Sequence, residues 1–65
     1  MKRTEEFIEP LLDTIDGAAR RLGVGRSTIY ELIKGKQLEL VKLGRSTRIP
    51  VDSIVSLVER LRANT

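Results

Sequence analysis

Apolar residues at Ile15, Ala18, Ala19 and Leu22 recur at the spacing of one helical face, with Thr14 placed before them as an N-cap. Asp16 puts an acid in the first turn and Gly23 supplies a stop, which completes the signature of a short first helix. A second stripe at Ile29, Leu32 and Ile33 closes at Gly35 and predicts a helix over Arg26 to Lys34. Leu40 to Leu43 and Thr47 to Ile49 then alternate, and Gly44-Arg45-Ser46 between them reads as a three-residue hairpin loop. Pro50 stops the second strand and opens a last helix. Its stripe is Val51, Ile54, Val55, Val58 and Leu61, with Asp52 near its start.

Phe7, Ile8, Leu11 and Leu12 would make a further helical face, but Pro10 interrupts it. Residues 1–13 therefore read as an acidic, mobile N-terminal segment, and residues 14–62 as the folded domain. The predicted fold is mainly α with a small β-hairpin: a helix-turn-helix, a two-stranded wing and a C-terminal helix.

The two short helices are joined by Gly23-Val24-Gly25. Ala18 and Ala19 allow close approach, Gly23 allows the bend, and Leu22, Val24, Ile29 and Leu32 fill the angle. A helix-turn-helix needs this spacing, with its second helix left to enter a DNA major groove. That second helix begins Gly25-Arg26-Ser27-Thr28, with no carboxylate where its neighbours carry one. Such a start suits an anion, and Arg26 adds charge to it. A competing reading starts the helix later, with Thr28 and Glu31 as a capping box, and leaves only about six helical residues before Gly35.

Charge supports a polyanion-binding surface once its position is considered. The formal net charge is only +3. Residues 1–19 sum to −3, residues 20–48 to +6 and residues 49–65 to zero. The basic centre holds Arg20, Arg21, Arg26, Lys34, Lys36, Lys42, Arg45 and Arg48 against Glu31 and Glu39. With a three-residue loop, Lys42 would face Arg48 and Val41 would face Ile49. Opposed like charges destabilise a sheet, so a wing lying on phosphate explains them better than a purely structural hairpin. Lysine and arginine guarding an edge strand is the alternative.

Composition then removes other chemistries. The 65 residues include no Cys and no His, so there are no disulfides, no thiolate or imidazole metal ligands and no Cys or His nucleophile. Gly23-Val24-Gly25 is not a dinucleotide loop, because no strand precedes it and Thr28 stands at the third glycine position. No catalytic residues, metal or cofactor are expected. One Phe, one Tyr and no Trp make the core aliphatic. Apolar runs never exceed two residues, so no membrane span or secretory segment is expected, and the chain reads as cytoplasmic.

From Leu12 to about Leu61 the chain resembles the excisionase-type (recombination directionality factor) winged-helix DNA-binding family. The resemblance rests on Asp16-Gly17-Ala18-Ala19-Arg20-Arg21-Leu22-Gly23-Val24, on Arg26-Ser27-Thr28-Ile29-Tyr30-Glu31-Leu32-Ile33, and on Val41 through Pro50 with its Gly44-Arg45 tip. It implies a small prokaryotic or phage protein, at the nucleoid, that binds double-stranded DNA as cooperative, self-associating arrays. It also implies DNA bending and a partner integrase biased toward excision; close relatives act as transcription regulators. Three positions depart from the family pattern: Gly25 stands where serine is usual, Gly17 where an acid is frequent, and Thr47 where an aromatic is frequent.

The expected recognition-helix contacts are Arg26, Ser27, Thr28, Tyr30, Glu31 and Lys34, with Glu31 suited to accept from a cytosine amine. The expected wing contacts are Lys42, Arg45, Ser46 and Arg48. Arg20, Arg21 and Lys36 read either as further phosphate contacts or as ordinary surface charge. A protein-interaction module, using the Phe7–Leu12 segment and the last helix, is the rival from another class.

Overall fold

The computed structural model describes residues 11–64. Six elements follow one another: β1 (Leu12–Asp13), α1 (Ile15–Leu22), α2 (Arg26–Lys34), β2 (Val41–Leu43), β3 (Ser46–Pro50) and α3 (Val51–Ala63). The strands form one antiparallel sheet in the order β1-β3-β2. β1 pairs Leu12 with Pro50 and Asp13 with Ile49, joining to the sheet two residues that the sequence groups with the N-terminal segment. The rest of that segment, residues 1–10, lies outside the described residues.

The start and end of α1 follow local chemistry. Thr14 is extended, and its hydroxyl accepts from the Gly17 N–H at 2.9 Å. Gly23 sits in the left-handed region at φ 70°, where the Val24 and Gly23 N–H groups return to the carbonyls of Ala19 and Arg20. α2 starts at Arg26 behind an extended Gly25 with no side-chain cap, so the later start with a Thr28–Glu31 capping box is not adopted. It ends after Lys34 with Gly35 as the C-cap, as expected, but the glycine is not the left-handed residue. Gly35 has an ordinary φ of −83°, and the left-handed residue is Lys36 at φ 64°. Lys36 N–H reaches the Ile33 carbonyl and Gln37 N–H the Leu32 carbonyl, so the chain turns one residue beyond the glycine.

The core is aliphatic: Ile15, Ala18, Ala19, Ile29, Leu38, Ile49, Ile54 and Leu57, with Leu22, Leu32 and Ile33 packed against it. Ile29 and Ile49 are fully buried, which joins the inner face of α2 to the central strand. Leu38, in the α2–β2 connection, enters the core outside any periodic stripe.

Two expectations are corrected. The hairpin loop has two residues, Gly44 and Arg45, not three; Gly44 takes φ 64° and Arg45 does not enter the left-handed region, as a type II′ turn requires. The register is then Val41 to Arg48, Lys42 to Thr47 and Leu43 to Ser46. A one-residue change of register reverses the faces, so Lys42 and Arg48 lie on opposite sides of the wing and do not oppose each other. The stripe of α3 is also shifted. Ile54 and Leu57 enter the core, whereas Val55, Val58 and Leu61 are exposed. The helix packs against α1 and β3 and buries Ile54 and Leu57, and its apolar arc is wider than that buried pair. The architecture is a winged helix-turn-helix.

Candidate nucleic-acid interface

Burial divides α2 into two faces. Ile29 is buried and Leu32 and Ile33 are partly buried, while Ser27, Tyr30, Glu31 and Lys34 are exposed at the i, i+3, i+4, i+7 spacing of the opposite face. Arg26, the first helical residue, is exposed beside them. Thr28 is half-buried, on the flank shared with Leu32 rather than on the outer face. Five of the six recognition-helix candidates therefore share one accessible surface.

That surface includes an acid which the sequence does not place there. Asp16, in the first turn of α1, forms an ion pair with Arg26, Oδ1 to Nε, at 3.2 Å. Tyr30, one turn along α2, and then Asp16 favour the charged form of Arg26 and raise its pKa. The start of α2 has no acid of its own, but α1 delivers one to it. Asp16 and Arg26 belong to different helices, so no periodicity in the sequence connects them.

The additional cations fall in different places. Arg21 Nε is held by Asp13 Oδ2 at 2.6 Å, and the same carboxylate accepts the Thr14 N–H through Oδ1 at 2.8 Å. The Arg21 bond holds the Asp13 pKa below the usual carboxylate value against the opposing effect of burial, and the Thr14 bond adds to the lowering. Arg20 is exposed in the last turn of α1. Lys36 lies past the C-terminal end of α2, in a cleft against α3 that it lines with Ile33, Asp52 and Arg60. Nine helical residues, about 13 Å, separate it from the Arg26 end.

In the wing, Arg45 is exposed at the tip and Lys42 is exposed on β2. Ser46 is half-buried opposite Leu43. Arg48 is half-buried, and its Nη1 donates to the Thr47 carbonyl at 2.9 Å. Among the described residues, no helix is long and apolar enough to cross a membrane.

The family departure at Gly17 has a structural reason. A Cβ on Gly17 would fall on the Asp13 carboxylate. In a capping box the acid at that helical position takes the N-cap N–H; here Asp13, just before the cap, takes the Thr14 N–H instead. The acid is present in space but comes from four residues earlier.

A family model described as a helix-turn-helix domain matches residues 14–62. A probable excisionase from Saccharopolyspora erythraea is 40% identical over 53 residues, covering 82% of this chain and 54% of that protein. An excisionase from Streptomyces ambofaciens is 33% identical over 52 residues, covering 80% of this chain and 84% of the relative. The chain thus spans about half the length of the first relative and most of the second. With two helices packed through Ala18, Ala19 and Ile29, a Gly44-Arg45 wing and these relatives, the chain belongs to the excisionase-type helix-turn-helix DNA-binding family.

Proposed function

We propose that this protein acts as an excisionase: it binds repeated duplex sites cooperatively, bends the DNA and directs an integrase toward excision. The observation that carries the reading is the outer face of α2, where Arg26, Ser27, Tyr30, Glu31 and Lys34 stand exposed on a helix anchored from behind by Ile29. A helix of this kind enters the major groove, with base contacts from Arg26, Ser27, Tyr30 and Glu31 and a phosphate contact from Lys34. Lys42, Arg45 and Ser46 follow the neighbouring backbone, and Arg48, on the other face of the wing, can add a contact through the N–H groups that the Thr47 carbonyl does not take. One domain of this size reads a short site, so specificity requires repeated sites, self-association or a partner. The chemistry of strand exchange belongs to the integrase; this chain supplies DNA geometry.

Footprinting on DNA from the protein's own locus, with and without an integrase encoded beside it, tests the reading. Protection of repeated sites that extends when integrase is added supports it. A single protected operator at a promoter, unchanged by integrase, would replace it with transcription regulation. The exposed Val55, Val58 and Leu61 on α3 favour protein contacts in addition to DNA. If Arg26→Ala with Arg45→Ala leaves function in cells intact, those contacts are the whole function and the chain is an interaction module.

A further inference from the structure

The acid beside Arg26 is unexpected on a surface meant for phosphate. Its carboxylate repels the DNA backbone and reduces sequence-independent attraction. Thr14 and Asp13 already take the N–H groups of Gly17 and Thr14, so Asp16 caps neither, and its favourable place in the first turn of α1 does not require it to meet Arg26. Asp16 is exposed and contributes nothing to the core. Its recorded contact is with the Nε of Arg26.

An arginine recognises guanine through two N–H groups that meet O6 and N7 in the major groove, the commonest base-specific contact. A long side chain must lose rotamer freedom to do this. A carboxylate paired with Nε, with Tyr30 also bearing on the guanidinium, restricts the side chain and leaves N–H groups on the terminal nitrogens to supply the pair of donors. From this geometry we infer that Asp16 is a positioning residue which holds Arg26 to read one guanine of the target site. The inference rests on the DNA-binding reading of α2 and extends it from a surface to one base.

Holding Arg26 and repelling phosphate have opposite consequences, which makes the inference testable without a known operator. A pool of randomised duplexes is selected separately on the wild type, Asp16→Ala and Arg26→Ala. The selected motifs are then compared by sequencing and by affinity for a fixed random-sequence duplex. The wild-type motif is expected to contain a guanine that Arg26→Ala no longer selects. Asp16→Ala is expected to weaken the preference for that same guanine about two- to fivefold, while other positions persist. Its affinity for the random duplex stays equal or rises, which also shows that the domain is folded. The inference is overturned if Asp16→Ala keeps the full guanine preference, if it alters positions that Arg26→Ala does not, or if Arg26→Ala changes no base preference. Failure of the wild type to bind any duplex would overturn this inference together with the DNA-binding reading, and is distinct from the other outcomes.

Discussion

Asp13 and Arg21 lie eight residues apart in the chain and meet at 2.6 Å, Oδ2 to Nε, along the length of α1. The other Asp13 oxygen takes the Thr14 N–H, so one carboxylate ties the end of β1, the start of α1 and the helix's last turn together. This sets the pH dependence. The pair holds the folded-state pKa of Asp13 below its unfolded value. Its contribution is therefore present above the usual carboxylate range and is lost as pH falls through the lowered folded-state value. Urea unfolding of the wild type and Asp13→Asn is expected to differ by about 1 kcal/mol near neutral pH, and the two curves should converge once the pH falls below the lowered folded-state value. A gap that persists at the lowest pH would show that the charge is not responsible.

Gly17 and Asp13 compete for one space. Gly17→Glu on the wild type displaces the Asp13 carboxylate and is expected to cost about 1 kcal/mol. In an Asp13→Ala background the same change restores an acid that can take the Thr14 N–H, and should be neutral or stabilising. Urea midpoints of the four proteins measure this coupling. Additive costs would contradict the shared-space explanation.

The turn after α2 has its glycine one residue early. Lys36 holds φ 64°, whereas a Cβ on Gly35 meets the Glu31 carbonyl at an ordinary 3.4 Å. Lys36→Gly is expected to raise stability by about 1 kcal/mol, and Gly35→Ala to be tolerated. Thermal or urea midpoints check both, and the opposite order would mean that the turn forms differently.

The wing predicts a contrast between two cations usually grouped together. Lys42 and Arg48 are on opposite faces, and Arg48 is half-buried with its Nη1 donating to the Thr47 carbonyl. Lys42→Ala should make the log–log salt slope of duplex binding shallower by about 0.9, the effect of one phosphate contact. Arg48→Ala should change that slope less and act mainly through the stability of β3.

Much of this arrangement is legible along the chain, because local signals and tertiary packing agree. Thr14, Gly23 and the Ile15–Leu22 stripe define α1, and Ile29 with Leu32 and Ile33 distinguishes the inner face of α2 from its outer face. Features that depend on non-local partners are not legible. The hairpin register depends on whether Ser46 belongs to the loop or the strand, and one residue exchanges the faces of Lys42 and Arg48. Leu38 is a core residue through where the chain returns, not through periodicity, and Leu57 follows Ile54 at helical spacing but is one of several apolar positions on a wide arc of α3 that only packing separates. The acid at Arg26 and the acid at Gly17 both come from outside the motif they complete, which residue spacing does not reveal.

The most direct test of the central claim is the salt dependence of duplex binding by the wild type and by Arg26→Ala with Arg45→Ala. Four to six neutralised phosphates predict a log–log slope of about −4 to −5 per protomer for the wild type. The double variant should remain folded and bind far more weakly, with a slope shallower by about 1 from the lost Arg45 phosphate contact. Binding that is independent of salt, or unchanged in the double variant, would contradict a DNA interface made of the α2 face and the wing tip.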